Sequence, residues 1–249
     1  MKKLAIFGRK GGIGKSTVTV NLAHALTKIG MKVLLIDLDS QNDSSLFLGI
    51  DKEQYNKFVF DDLFNKRNPV KLRDTMIEAR ESLWLIPNDS LENVESELHR
   101  TSRIDNILNH LLSDLDDMDF DIILFDTQPT RSKISDSILL YCEGLILPVQ
   151  LQSASVRSIG NIYEYLSDLY INPDIIKAVV PNMYNKITCD SKENLAFVKS
   201  FFEQDIVTPA IPTRTRISES GKHGKTVFEY DQESTVQFMA VIEKLVTLI

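Results

Sequence analysis

The sequence predicts one α/β domain, a mostly parallel, twisted sheet with helices on both faces. Short apolar runs alternate with longer amphipathic stretches along the whole chain, the pattern of buried strands joined by crossover helices. Several of these runs end on Asp or Pro, where a strand gives way to a loop. The length of 249 residues suits one such domain and does not force a second. No repeat, low-complexity tract or Gly/Pro/Ser-rich linker divides the chain, so residues 1–249 read as a single domain.

The elements follow in order. Leu4–Phe7 is the first strand. Lys15–Ile29 is the first helix, with Val18, Leu22, Ala25, Leu26 and Ile29 at helical spacing and Gly30 placed to end it in the left-handed conformation. Val33–Ile36 is a buried strand ending on Asp37, and Leu83–Ile86 is another, stopped by Pro87. Ser90–Arg100 and Ile104–Leu115 read as helices, and Ile122–Phe125 as a strand ending on Asp126. Leu145–Leu147 is a strand ending on Pro148, Val156–Leu169 a helix, and Ile176–Val180 a strand ending on Pro181. Lys192–Phe202 and Ser234–Leu248 complete the helices. The stretch from Asp51 to Arg80 carries no clear period.

Composition excludes several classes. Hydrophobic residues make up 43% and charged residues 25%, a globular profile. No apolar run approaches the roughly 18–20 residues of a membrane helix, and the apolar stretch at Leu4–Phe7 is too short for a signal-peptide core. The expected location is therefore cytoplasmic, with reduced Cys142 and Cys189. The net charge is −7, but it is unevenly spread: Met1 to Ile36 holds seven basic residues and no acidic one, and Pro212 to Lys225 carries a net +3. An acidic protein can still present a basic face.

The chemistry lies where the first strand runs into GRKGGIGKST, residues 8–17, followed by a helix. That context is what a phosphate-binding loop requires. Gly11, Gly12 and Gly14 let the backbone turn tightly, so that its N–H groups, with that of Ile13, aim at phosphate oxygens. The helix start adds its positive dipole end. Lys15 reaches the β- and γ-phosphates, the Ser16 hydroxyl suits Mg²⁺, and Thr17 suits the α-phosphate. The chain is thus expected to bind ATP with Mg²⁺ on a P-loop NTPase fold. The strict P-loop pattern wants glycine at position 9, where this chain has Arg9.

Two further apolar strands end in carboxylates. Asp37 and Asp39 fall at the carboxyl end of one, where open α/β sheets bind ligands, although either could instead cap the helix that follows. Phe120–Thr130, FDIILFDTQPT, has the Walker B pattern, and Asp126 there is expected to hold Mg²⁺ through a water.

Lys10 to Ser16, K-G-G-x-G-K-[ST], resembles the deviant P-loop of the ParA/MinD superfamily, and Arg9 leans toward its ParA/Soj-type partition ATPases. The resemblance extends through VLLIDLDSQNDSS, with Ser40 for the usual Pro, through Asp126-Thr127-Gln128-Pro129, where one proline is lost, and through GLILPVQLQSASVRSI, AVVPNMYNKIT and IPTRTRISESGKHGKTVFEYD. It implies a DNA-segregation ATPase with slow intrinsic turnover. Lys10 would cross a dimer interface to the partner's phosphates, and Asp39 would orient the attacking water. Asn182 would contact adenine with Pro212 near the base, and Arg214 and Arg216 would touch DNA phosphates. The implied partners are a second copy when ATP is bound, non-specific double-stranded DNA, and a ParB-like centromere-binding protein that stimulates hydrolysis. The implied location is cytoplasmic and nucleoid-associated, without an N-terminal helix-turn-helix extension. A MinD-like membrane-cycling ATPase is the alternative. It needs a basic amphipathic tail, and STVQFMAVIEKLVTLI has only Lys244, balanced by Glu243. An iron–sulfur protein of the nitrogenase iron-protein kind needs cysteines beside the phosphates, where neither Cys142 nor Cys189 is expected.

Overall fold

A computed structural model describes residues 1–55, 58–202 and 204–249. In chain order the elements are β1 (Lys2–Ile6), α1 (Lys15–Lys28), β2 (Val33–Leu38), α2 (Asp43–Phe47), β3 (Ile77–Arg80), β4 (Leu83–Ile86), α3 (Glu92–Arg100), α4 (Ile104–Leu111), β5 (Ile122–Thr127), α5 (Lys133–Tyr141), β6 (Gly144–Gln150), α6 (Ser153–Arg157), α7 (Gly160–Asp168), β7 (Ile176–Asn182), α8 (Cys189–Phe201), α9 (Thr215–Lys222) and α10 (Gln232–Leu245). Among the described residues, seven strands form one sheet in the order β3-β4-β2-β5-β1-β6-β7. Every neighbouring pair is parallel except β3 with β4.

The sheet is buried on both faces, which is why its strands read as unbroken apolar runs. Side chains alternate across β2: Leu34 and Ile36 join the core that also holds Ile134, Ile138 and Leu166, while Val33 and Leu35 join the opposite core. That second core is closed by α1 and by Phe238, Val241, Ile242 and Leu245 of α10. The apolar tail therefore packs inward. No helix among the described residues is long and apolar enough to cross a membrane.

The structure departs from the sequence expectation mainly at strand ends. β2, β6 and β7 run through Asp37, Pro148 and Pro181 rather than stopping there. Pro148 is tolerated because β1 pairs with β6 only as far as Ile146, so one flank of β6 carries no ladder beyond it. The single helix expected over Val156–Leu169 is two, α6 and α7, and the one expected to reach Leu115 ends at Leu111 before a 3₁₀ turn, Ser113–Asp117. Gly30, with φ of +89°, ends the first helix as expected.

The unreadable stretch holds 3₁₀ turns and then β3; Asn56 and Lys57 lie outside the described residues. Arg80 anchors it. Its guanidinium forms a two-pronged pair with Glu229, at 2.8 and 3.0 Å, and donates to the carbonyls of Leu48 and Gly224. Gly49 and Gly224, both at positive φ, meet so closely that a Cβ on Gly224 would stand 2.5 Å from the Gly49 Cα.

Candidate nucleotide site

The central strands β5 and β1 deliver the site. β1 runs into the glycine loop and β5 carries Asp126, its next-to-last residue, beside it, with Ile6 level with Asp126. Gly12 and Gly14 take φ of +75° and +85°, the left-handed turn that L side chains resist. Gly14 begins α1, and no side chain caps that helix and no acidic residue sits in its first turn. Its leading N–H groups are left for a ligand, and the helix dipole favours an anion there. A Cβ on Gly11 or Gly12 would meet nothing within 4 Å, so that side of the loop is open.

Lys15 and Ser16 are buried at 6% and 8% exposure at the head of α1. Asp126 is fully buried and accepts hydrogen bonds from the Thr19 hydroxyl at 3.1 Å and the Ser44 hydroxyl at 2.7 Å. Burial pushes its carboxyl above the usual carboxylate range; hydrogen bonds from Ser44 and Ser16 and the Lys15 charge pull the other way. Asp37 lies level with Asp126 on β2. It too is raised, first by burial and then by the charge of Asp126, although the Ser45 backbone N–H at 3.0 Å and hydroxyl at 2.9 Å donate to it. Asp37 is thus a helix-start acceptor, as its capping alternative implied. Asp39 points elsewhere, into the cleft. The Asn88 amide holds the main chain below it, donating to the carbonyls of Asp37 and Asp39 at 3.1 and 3.0 Å.

Gly11, Gly12, Gly14, Lys15, Ser16, Thr17, Asp39, Gln128, Pro129 and Thr130 line one cleft of about 490 Å³. A larger cavity of about 650 Å³ lies at the other end of the sheet, beside Trp84 and Phe120, away from these groups. Among the described residues, no group of three or more His, Cys, Asp and Glu could hold a metal alone. One buried carboxylate with a serine hydroxyl fits Mg²⁺, which keeps several waters and takes its remaining ligands from phosphates.

The remaining predicted residues divide. Lys10 stands at the loop's start, between Arg9 and Gly11, half-buried. Asn182 is buried, and its amide donates to the Ile13 carbonyl at 2.8 Å and accepts from the Met183 N–H at 2.9 Å. It braces the phosphate loop from behind, and a Cβ on Gly14 would come within 2.5 Å of its nitrogen. Pro212 joins it by bridging to Tyr184, so the two segments expected around a base are neighbours. Arg214 and Arg216 both have carboxylate partners, Arg214 half-buried and Arg216 exposed. Arg214 pairs with Asp231 at 3.4 Å and also with Glu233; Arg216 pairs with Glu219 at 3.3 Å and lies over the Tyr230 ring. Lys222 and Lys225 nearby are exposed and make no ion pair among the described residues.

Sequence reasoning missed Thr19 and Ser44, which hold Asp126, and Asn88, which holds the main chain at Asp37 and Asp39. A serine pair just beyond Asp39 was a visible signal for Ser44; Asn88, about 50 residues away along the chain, had none.

A family model described as an AAA domain matches residues 1–177. The sporulation initiation inhibitor protein Soj of Bacillus subtilis is 29% identical over 238 residues, 94% of this chain and 92% of that protein. The chromosome partitioning protein ParA of Caulobacter vibrioides is 29% identical over 237 residues, 93% of this chain and 88% of that protein. Among solved structures, a cobyrinic acid a,c-diamide synthase from Mycobacterium smegmatis, with bound ATP analog and magnesium, superposes with a TM-score of 0.82 at 24% identity, covering 99% of this chain and 94% of that one.

Proposed function

The chain belongs to the AAA domain family, and from that premise we propose that it is a ParA/Soj-type partition ATPase, switched by ATP and Mg²⁺ between a free state and a DNA-bound dimer. The observation that carries the reading is the convergence of Lys15, Ser16 and Asp39 on one cleft at the carboxyl ends of parallel strands, with Asp126 buried behind Ser16. Full-length similarity to Soj and ParA supports the partition role.

In this mechanism the glycine-loop N–H groups and the α1 dipole hold the phosphates, and Lys15 neutralises the β–γ region. Ser16 and Asp126 would hold Mg²⁺, and the ion would supply neutralisation of the phosphate charge. Thr19 and Ser44 keep Asp126 oriented. Asp39 orients the attacking water toward the γ-phosphate. Thr17 binds the α-phosphate, and Asn182 and Pro212 form the wall against the base. Lys10 reaches the phosphates of a second copy, which makes dimerisation depend on ATP. The dimer binds double-stranded DNA through phosphate contacts, and a ParB-like protein stimulates hydrolysis and release, in a cytoplasmic, nucleoid-associated cycle. With Arg214 and Arg216 tied to carboxylates, Lys222 and Lys225 carry the larger share of that contact.

The test uses the Asp39→Ala protein with a random-sequence duplex, in ATP–Mg²⁺ or ADP, across a salt series. Blocked hydrolysis traps the dimer, so binding is expected with ATP alone, blind to sequence and falling steeply with salt. Equal or absent binding in both nucleotides overturns the DNA-switch reading and leaves the nucleotide site to be judged separately. The MinD-like alternative lacks support from the tail, since Phe238, Val241, Ile242 and Leu245 are all buried.

A further inference from the structure

Tyr165 of α7 joins two parts of the nucleotide site that are far apart in sequence. Its ring is 1% exposed. The Arg9 guanidinium lies over it at 5.2 Å from the centroid and the Arg131 guanidinium at 4.5 Å. The Phe7 ring, immediately before the phosphate loop, packs at 5.6 Å. The Tyr165 hydroxyl donates to Asp136 at 2.7 Å, and Arg131 pairs with Asp168 at 2.5 Å and reaches Asp136 at 4.0 Å.

Arg9 occupies the position where a strict P-loop has glycine, and the structure gives its side chain this use. Arg131 directly follows Gln128, Pro129 and Thr130, which line the cleft. One side of that short loop therefore faces the phosphates while its end is fastened to α7. Arginine suits the task because its planar guanidinium stacks on a ring and pairs with a carboxylate at once.

We propose that Arg9, Tyr165 and Arg131 form a latch that fixes the loop Gln128–Thr130 against the phosphate loop, and that they are positioning residues for hydrolysis. The catalytic consequence rests on the ATPase reading; the latch itself does not.

The experiment has two arms. In the first, the nucleotide-free protein is digested with trypsin and the rate of cleavage after Arg131 is compared with that after Lys222, which is exposed and remote from Tyr165. Cleavage tracks the open population. Arg9→Gly should raise the Arg131 rate about threefold to tenfold, the range of a cation–π contact. Tyr165→Phe, which keeps the ring and loses the Asp136 bond, should raise it less, and Arg131→Lys should raise it as well; the Lys222 rate should hold. An unchanged Arg131 rate in Arg9→Gly, or an equal rise at both sites, overturns the latch. In the second arm, Arg9→Gly and Arg131→Lys should lower kcat several-fold with KM for ATP within about twofold, the signature of a lost transition-state arrangement. A rise in KM alone overturns the positioning role. If the wild-type protein does not hydrolyse ATP, the ATPase reading fails while the first arm still decides the latch.

Discussion

Lys15 and Arg214 are both largely covered cations, yet only one keeps its charge for a ligand. Lys15 sits at the head of α1 with uncapped backbone N–H groups around it and makes no ion pair among the described residues. Arg214 sits between Asp231 and Glu233, close in the chain and on the same surface. The strand–loop–helix turn concentrates positive potential that no ion pair ties down among the described residues, so it suits an anion. A helix-rich surface supplies carboxylates that absorb a cation at little cost. Positive residues in a row thus measure composition, whereas a cation at a helix start measures function.

Five variants sharpen this contrast, and the largest effect is expected at Lys15. Lys15→Ala should lower the rate of hydrolysis at least about 100-fold and abolish the rise in melting temperature that ATP–Mg²⁺ produces, as measured by steady-state turnover and thermal denaturation. A Lys222→Glu, Lys225→Glu double variant should weaken duplex binding at least about tenfold in a fluorescence anisotropy titration, with a shallower salt slope. Arg214→Ala should instead cost about 1 kcal/mol of stability in a urea melt and change DNA affinity less than about twofold. If Arg214→Ala weakens DNA binding more than the lysine variant, the surface reading is reversed.

The buried acids give the contrast a pH dependence. Asp37 and Asp126 are raised by burial, so the folded protein holds protons that the unfolded chain releases. Without Mg²⁺, stability should fall as pH rises beyond the ordinary carboxylate range, and Asp126→Asn should flatten that fall in thermal melts. His24 acts in the opposite sense. Burial lowers it to about 4, and its Nδ1 meets the Thr226 hydroxyl at 2.6 Å. Its contribution is complete above about 6.5 and is lost as pH falls toward about 4; His24→Asn should remove that limb of the curve.

Much of the candidate nucleotide site was legible because its residues lie at fixed spacing in the glycine loop or near strand ends. Lys15, Ser16 and the glycines follow a strand and start a helix, and Asp126 lies near the end of a neighbouring strand, in register with Ile6. Asp37 and Asp39 sit two apart, which put both at a strand end, but only packing separates the one held by Ser45 from the one in the cleft. What stayed hidden depends on distant chain. β3 pairs antiparallel with β4 across Glu81 and Ser82, but four residues are too short a run to stand out, and the Arg80–Glu229 pair that anchors it spans 149 positions. The Tyr165 stack joins three segments, and Tyr165 alone reads as an ordinary apolar position of a helix. Pro148 and Pro181 looked like strand ends because a local reading cannot see that each has a flank without a ladder: β1 stops pairing with β6 at Ile146, and β7 is the last strand of the sheet.

The most direct test of the ATP switch is the solution mass of the Asp39→Ala protein by sedimentation, in ATP–Mg²⁺ and in ADP, with a Lys10→Ala, Asp39→Ala companion. The account predicts twice the monomer mass in ATP, the monomer in ADP, and the monomer in both nucleotides once Lys10 is removed. A mass that ignores the nucleotide would contradict it.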